Sequence, residues 1–167
     1  MGKILKAILI FVLAFMLVGY TKAPQGGPEG MSVTGYVISV LDGDTIKLDT
    51  QGNVRIRLAG IDAPEKSQPY GLESKNYLAS LIGSRTVTVI ISDTDRYGRY
   101  IGTIIYDGMD INAEMLRAGY AWHYKHYSRS PEYASLEKAA REQRLGLWAD
   151  DNPTAPWKYR AAQRKNR

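Results

Sequence analysis

Hydrophobic and polar positions alternate with a period of two in several short segments, which predicts β-strands with one buried and one solvated face. In the clearest segment, VRIRLA, the two arginines Arg55 and Arg57 alternate with apolar residues. The turn sequences DGDT and TQGN separate the early segments and predict hairpins, with Gly43 supplying a positive φ in the first turn. The predicted strands cover residues 33–41, 46–48, 54–59, 85–92 and 100–106.

Other segments follow the helical period instead. Leu78 and Ile82 lie one turn apart on the same face of a predicted helix, which Gly83 ends. A short helix and a longer one follow, the longer beginning at Pro131. The predicted helices cover residues 70–82, residues 111–118 and the chain from 131 to near 146.

The order of these elements predicts the fold class. Three strands in a meander, a helix, two further strands and late helices are typical of an α+β, mainly β-barrel domain. We therefore expect an OB-fold, a five-stranded and partly open barrel with about three helices packed on it. The pattern leaves an SH3-like barrel and an α+β sandwich as alternatives.

A targeting segment precedes the predicted domain. Lys3 and Lys6 come before an unbroken apolar run over residues 7–18, which is shorter than the roughly 20 residues of a typical membrane span. Residues 1–23 are accordingly predicted to be a signal peptide or an N-terminal anchor, with residues 4–20 as the membrane tether in the second case. Both cases predict export, to a secreted or otherwise extracytoplasmic location.

The rest of the chain divides by composition into three parts. Residues 24–32 contain the PQGGPEG sequence and predict a flexible linker. Residues 33–149 form the predicted barrel domain. Residues 150–167 are expected to form a C-terminal strap followed by a basic tail, which is either solvated or in contact with phosphate groups.

Net charge by itself does not indicate a polyanionic partner. The chain carries a net charge of +5, but eight of its 22 basic residues lie in the leader or in the tail from residue 158. The part between them has 14 basic and 17 acidic residues, a net charge of −3. Because the chain also has no cysteine, disulfides, thiolate catalysis and cysteine-type zinc sites are excluded.

Candidate chemistry is concentrated in the stretch RIRLAGIDAPE, which supplies Arg57, Asp62 and Glu65 within a few residues. Two of these are acids, and with Asp42 and Asp44 in DGDT they lie at the ends of strands or in the loops that follow. Carboxylates at such positions readily bind a hard cation such as calcium. Arg57 and a second arginine, Arg99, could form paired hydrogen bonds to a phosphodiester. Taken singly, each acid also fits a solvated turn and each arginine a surface ion pair, so only the combination indicates a site.

Three sequences carry a resemblance to a known family: DGDT at 42–45, RLAGIDAPE at 57–65, and DRYGRYIGTIIYDGMDINAEMLRAGYAWHY at 95–124. In this order and spacing, over roughly residues 33–149, they closely resemble the staphylococcal nuclease (thermonuclease) family. The resemblance implies an OB-fold and a calcium-dependent, sugar-nonspecific hydrolysis of DNA and RNA that leaves 3′-phosphate ends. A monomer is expected.

The same resemblance implies a role for each motif residue. Asp44 and Asp62 match two carboxylate ligands of Ca²⁺, and the backbone carbonyl of Ala63 matches a third protein ligand. Glu65 matches the acid that orients or deprotonates the attacking water. The remaining matches are Arg57 and Arg99, which hold the phosphate, whereas Arg55 has no role.

Some positions depart from the family pattern or lie outside it. Tyr97 and Tyr127 match nucleotide-contacting tyrosines, but Lys125 stands at the position of another. The loop from residue 66 to 70 is short and carries one lysine, which reduces a basic substrate flap. Two histidines are predicted to be surface residues and the tryptophans to be packing residues: His123, His126, Trp122, Trp148 and Trp157.

Two alternatives to the enzyme remain open from the sequence. An OB-fold module could bind nucleic acid without catalysis, as expected of a family member that has lost its acids. A membrane-tethered barrel could instead bind a partner protein. The presence of Asp44, Arg57, Asp62, Glu65 and Arg99 favours the enzyme over both.

Overall fold

The computed structural model describes residues 30–50 and 52–165, so the predicted signal or anchor segment and most of the linker lie outside the described residues. No helix within these ranges has the length and hydropathy needed to cross a bilayer. The strands are β1 (Ser32–Asp42), β2 (Thr45–Asp49), β3 (Val54–Leu58), β4 (Ile61–Asp62), β5 (Thr86–Thr94), β6 (Tyr100–Tyr106), β7 (Met109–Asp110) and β8 (Trp122–His123). The α-helices are α1 (Gly71–Ile82), α2 (Ile111–Arg117), α3 (Pro131–Glu142) and α4 (Pro156–Lys165), with a 3-10 helix at Gly146–Ala149.

Five strands close into a mixed barrel. Antiparallel pairing runs through β3, β2, β1, β5 and β6 in that order, and β3 then pairs with β6 in parallel. Arg57 on β3 lies beside Ile101 on β6 in this closing pair. The predicted five-stranded barrel is therefore confirmed, with four α-helices in the described residues where about three were expected.

The barrel interior contains the apolar half of the alternating pattern. On β3, Ile56 and Leu58 are fully buried, whereas Arg55 lies on the opposite, exposed face. Burying one such side chain contributes roughly 1.5–3 kcal/mol, so this alternation also fixes the strand's register. The largest fully buried residues are Ile46, Leu48, Ile56, Leu58, Ile61, Leu78, Ile82, Ile91, Ile104, Ile111, Met115 and Leu116.

Gly43, in the turn between β1 and β2, has a different role from the predicted one. Its φ angle is not positive. A Cβ atom at this position would instead overlap Ser74 of α1 and lie 2.7 Å from the Cβ atom of Ala63. Gly43 is required for close packing of the turn against α1 and the Ala63 loop, and that packing brings Asp44 next to the loop.

The C-terminal part of the chain packs against the domain through aromatic residues. Trp122 and Trp148 are buried with ring centroids 4.4 Å apart, and Trp157 of α4 contacts Trp122 edge-on at 5.5 Å. The prediction that the tryptophans are packing residues is confirmed. The basic tail is helical as far as Lys165 and is not a solvated coil in this part.

His123 is buried, so the prediction of a surface position is wrong for this histidine. Only 3% of it is exposed, its Nε2 atom lies 3.0 Å from the Ser128 hydroxyl, and its backbone N–H donates to Glu137. Burial lowers its pKa from the ordinary value. The i, i+3 spacing of the two histidines does not predict this burial. His123 is buried because it lies in β8, a strand of only two residues, whereas His126 follows that strand and is exposed.

A buried asparagine ties α2 to the barrel. The Asn112 amide donates to the carbonyl oxygens of Ala59, at 3.0 Å, and Gly102, at 3.1 Å. Its Oδ1 atom accepts from the Ile104 N–H at 3.2 Å. Asn112 thereby joins the end of β3 to β6 at the point where the barrel closes, with no exposed surface of its own.

We expect Asn112→Ala to lower the free energy of unfolding by about 2–4 kcal/mol, because it leaves buried backbone groups without partners, each costing about 1–3 kcal/mol. Urea denaturation followed by circular dichroism measures the change. Asn152→Ala, at an exposed position, is the matched control and should change stability by less than about 0.5 kcal/mol. An equal effect of the two substitutions would contradict this role of Asn112.

Candidate active site

The first two elements of the site are the β1–β2 turn and β3. Thr45 pairs with Arg57 across β2 and β3, and the Leu58 N–H donates to the Asp44 carbonyl at 2.8 Å. These backbone contacts place the Asp44 carboxylate beside the Arg57 guanidinium, and the two form an ion pair through Asp44 Oδ2 and Arg57 Nη1.

Asp44 also fixes the loop that follows β4. Its Oδ2 atom accepts from the Ala63 N–H at 2.7 Å, and its Oδ1 atom accepts from the Thr45 hydroxyl at 3.0 Å. The side chain is almost completely buried, with 7% of the residue exposed. The backbone of Ala63, the predicted carbonyl ligand, is therefore held directly against the first predicted carboxylate ligand.

Arg57 connects Asp44 to the second predicted carboxylate. Its Nη2 atom donates to Asp62 Oδ1 at 2.8 Å and to the Ile61 carbonyl at 3.2 Å. Burial acts to lower the pKa of Arg57, but the charges of Asp44 and Asp62 outweigh it and raise the pKa above the ordinary value. The guanidinium is therefore charged and lies between two carboxylates.

Asp62 is the most deeply buried of the predicted ligands, with 1% of the residue exposed. It lies in β4, whose antiparallel pairing sets Asp62 opposite Trp122 of β8. Burial raises its pKa, and a hydrogen bond from Arg160 opposes that rise. A carboxylate in this position requires positive neighbours to remain ionised.

Glu65 lies at the edge of this cluster on a tightly folded loop. Its backbone N–H donates to Gln68 Oε1 at 3.2 Å, and its carbonyl oxygen accepts from the Gln68 N–H at 2.8 Å. A Cβ atom at Gly71 would overlap the Glu65 carbonyl oxygen, so the loop approaches α1 more closely than other residues would permit. The side chain of Glu65 is 39% exposed and can reach both solvent and the cluster.

Arg160 of α4 is a site residue that sequence reasoning did not identify. Its Nη1 and Nη2 atoms donate to Asp62 Oδ1 and Oδ2, at 3.1 and 2.9 Å, and Nη1 also donates to Glu65 Oε1 at 2.7 Å. Burial acts to lower its pKa, but the bonds to the two carboxylates raise it overall. A strap was expected in this part of the chain, without a role for Arg160. The available signal was the helical spacing of Trp157, Arg160 and Ala161 after Pro156, which predicts a docked helix.

The donor atoms suit a hard cation, although the side chains are held by guanidinium groups. Carboxylate oxygens of Asp44 and Asp62 and a backbone carbonyl at Ala63 are the ligand types that Ca²⁺ prefers. In the described residues, no three His, Cys, Asp or Glu side chains are grouped around a common metal position. The predicted set has two such side chains, Asp44 and Asp62, and both contact Arg57.

Asp42 shapes the turn that carries Asp44. Its Oδ1 atom accepts from the Asp44 N–H at 3.0 Å. Burial, and next the charge of Asp44, raise the pKa of Asp42 to about 7. The contacts therefore support the turn role that the sequence allowed for Asp42.

Arg99 and Tyr97 lie together in the turn between β5 and β6, apart from the ion-paired cluster. Arg99 donates to Asp95 from its Nε atom at 2.7 Å and from its backbone N–H at 3.0 Å. Burial acts to raise the pKa of Asp95, but these hydrogen bonds outweigh it and lower the pKa overall. Because Tyr100 pairs with Ile56 in the β6–β3 pair, the turn leads onto the strand next to Arg57.

The two predicted substrate tyrosines are strongly exposed. Tyr97 is 71% exposed, with the Arg96 and Arg99 guanidinium carbons 5.0 and 5.9 Å from its ring centroid. Tyr127 is 72% exposed and helps to line a cavity of about 530 Å³ that also reaches Trp157. Exposed aromatic rings beside cations provide stacking surfaces for nucleobases.

We expect Arg57→Ala to lower the free energy of unfolding in EDTA by about 3–5 kcal/mol, because it leaves the buried Asp44 carboxylate without its ion pair and Asp62 with Arg160 alone. Urea denaturation measures the loss. Arg55→Ala, which removes the same charge from the exposed face of β3, should cost less than about 0.5 kcal/mol. Similar losses in the two variants would show that Arg57 does not hold the cluster together.

Comparisons with known proteins agree with this geometry. Residues 55–150 match the family described as "Staphylococcal nuclease homologue". The chain is 48% identical over 130 residues to an "Uncharacterized endonuclease" of Escherichia coli, covering 77% of this chain and 85% of that protein. It is 47% identical over 113 residues to the "Probable staphylococcal-like nuclease CAN3" of Oryza sativa subsp. japonica, covering 68% of this chain and 30% of that protein. The aligned relatives and the matched domain show that the chain belongs to the staphylococcal nuclease family.

Proposed function

We propose that this protein is a calcium-dependent nuclease that hydrolyses phosphodiester bonds in DNA and RNA and leaves 3′-phosphate ends. The observation that carries the proposal is the ion-paired cluster of Asp44, Arg57 and Asp62 with Glu65 at its edge. It combines oxygen atoms suited to a hard cation, a guanidinium suited to phosphate and an additional carboxylate in one place. Family membership supports nuclease chemistry in general.

In this proposal Asp44, Asp62 and the Ala63 carbonyl would hold a calcium ion. When bound, the ion supplies positive charge that polarises a phosphoryl oxygen and increases the acidity of a nearby water. The protein contributes buried carboxylate oxygens from two parts of the chain. The hydrogen bond from the Ala63 N–H to Asp44 holds the loop that carries Ala63 against the β1–β2 turn.

Arg57 and Arg99 bind the phosphodiester and stabilise the negative charge that grows on its non-bridging oxygens. Guanidinium groups match phosphate geometry and stay charged at any relevant pH. Their contribution to rate comes from binding the transition state more strongly than the substrate. Arg57 also holds the two buried acids, so its removal affects stability as well as rate.

Glu65 handles the attacking water. Its half-exposed carboxylate accepts a proton as the water oxygen forms a bond to phosphorus, and the bond from phosphorus to the 5′ oxygen breaks. The departing 5′ oxygen takes a proton from solvent. The short hydrogen-bonded loop from Glu65 to Gln68 fixes where this carboxylate sits.

The substrate range follows from the groups that contact the nucleic acid. Stacking of bases on Tyr97 and Tyr127 is tolerant of sequence because every base has an aromatic face. None of the proposed roles requires a 2′-hydroxyl group or its absence. We therefore propose that both DNA and RNA are cut, by a monomer.

We also propose that the enzyme acts outside the cytoplasm. The support is the leader sequence alone, with two lysines followed by an apolar run. Residues 1–23 would act as a signal peptide or would keep the domain tethered to a membrane through residues 4–20.

We expect DNA digestion to require calcium and Glu65. EDTA should abolish digestion, excess calcium should restore it, and Glu65→Gln should reduce kcat at least a hundredfold, as expected for loss of a general base. Gel assays on plasmid DNA and on a synthetic RNA measure all of these changes, and end-group analysis identifies the phosphate. Digestion that survives both EDTA and Glu65→Gln would overturn the mechanism, and binding without cleavage would indicate a nucleic-acid-binding module.

Arg99→Ala provides a test of phosphate stabilisation that does not involve the buried acids. Loss of one such donor typically costs about 2.7–4 kcal/mol of transition-state stabilisation, so kcat on DNA should fall about a hundred- to thousandfold. Arg55→Ala is the control and should keep near-wild-type kcat, since Arg55 lies on the exposed face of β3. A fully active Arg99→Ala enzyme would remove Arg99 from the proposed site.

A further inference from the structure

The contacts of Arg160 with the predicted calcium ligands are more extensive than those of an ordinary surface ion pair. Both terminal nitrogens of Arg160 bond to the two oxygens of Asp62, and one of them also bonds to Glu65. Asp62 Oδ1 additionally accepts from Arg57. Three of the lone-pair positions on the Asp62 carboxylate are therefore engaged by guanidinium groups.

The helix that carries Arg160 is docked through its two aromatic residues. The Tyr159 hydroxyl donates to the Ser67 carbonyl at 3.0 Å and lies 3.1 Å from the Ser67 hydroxyl, in the loop that follows Glu65. Trp157 stacks on Tyr124 with ring centroids 5.4 Å apart and ring planes 2° from parallel. These contacts hold α4, and with it the backbone of Arg160, beside the acids.

The two guanidinium groups in the cluster differ in how firmly they are held. Arg57 belongs to a central barrel strand, and 15% of its side chain is exposed. Arg160 belongs to the last helix, and 37% of its side chain is exposed. If one cation has to leave the acids, Arg160 is the one that the fold allows to move.

A bound calcium ion and Arg160 would use the same carboxylate. Calcium at the proposed site would need direct contact with an Asp62 oxygen, and it would bring two positive charges next to a guanidinium. Arg160 also donates to Glu65 Oε1, one of the two oxygens of the acid assigned to the attacking water. Both effects oppose the loaded, active arrangement.

We propose that Arg160 is an internal counter-cation of the site, which occupies Asp62 and Glu65 when calcium is absent and competes directly with calcium for them. The inference rests on the proposed calcium site. It predicts that calcium binding displaces Arg160 and that the affinity for calcium includes the cost of this displacement. Without Arg160, calcium binds more tightly and the calcium-free protein is less stable.

Calcium titration by isothermal calorimetry on the full chain and on Arg160→Ala tests this competition. The Kd for calcium should be at least fivefold lower in Arg160→Ala than in the unmodified chain. Arg164→Ala removes the same charge from an exposed position one turn further along α4 and should leave the Kd within twofold. Arg160→Gln, which keeps most of the side chain without its charge, is measured in parallel in case the alanine variant does not fold.

Thermal unfolding supplies a second readout. In EDTA, the Tm of Arg160→Ala should be lower than that of Arg164→Ala, because Asp62 loses a counter-charge. The increase in Tm on adding saturating calcium should be larger in Arg160→Ala than in either comparison chain.

The outcomes separate this inference from the proposed nuclease activity. An equal or higher Kd in both Arg160 variants overturns the competition even if all chains digest DNA with calcium. A lower Kd in these variants supports it even if no chain digests DNA, in which case the proposed hydrolysis fails. Absence of calcium binding in every chain overturns both the competition and the calcium requirement.

Discussion

The guanidinium of Arg57 lies between two buried carboxylates that come from different parts of the chain, and the arrangement of the site depends on it. Asp44 arrives from the β1–β2 turn and Asp62 from β4, so their proximity brings like charges together in a poorly solvated place. Without a positive group between them, the chain would have to move the acids apart or protonate them. The same guanidinium that stabilises the fold is also suited to phosphate, which means that part of the binding geometry is already present in the ion-paired structure.

Barrel closure determines where that guanidinium points. The parallel pair of β3 and β6 and the hydrogen bonds of Asn112 fix the last strand against the third. Alternation along β3 then places Ile56 inside the barrel and Arg57 outside, at the edge where the two acidic loops emerge. The placement of Arg57 thus depends on ordinary strand packing, because a register shift of one residue would exchange the buried and exposed side chains.

Local pattern predicted much of this arrangement. The period-two signal of β3 distinguished its two faces, and the short motifs identified Asp44, Arg57 and Asp62, which the fold brings into contact. The features that the pattern missed depend on tertiary contacts. Arg160 bonds to Asp62, which lies 98 residues earlier in the chain. Gly43 is needed because a side chain would not fit beside α1, and not for its φ angle. His123 was misjudged for the same reason, since pairing of β8 with β4 buries it. Single residues in weakly patterned segments do not reveal which surface will cover them.

The aromatic cluster beside the site has a spectroscopic consequence. The chain contains three tryptophans, and all of them lie in one group, with Trp148 and Trp157 both in contact with Trp122. Trp122 pairs through its backbone with Asp62, and Trp157 is three residues from Arg160 on the same helix. Because all three indole rings lie in this group, the tryptophan emission of the folded protein comes from the region next to Asp62. A change in tryptophan emission without unfolding therefore reports on this one region.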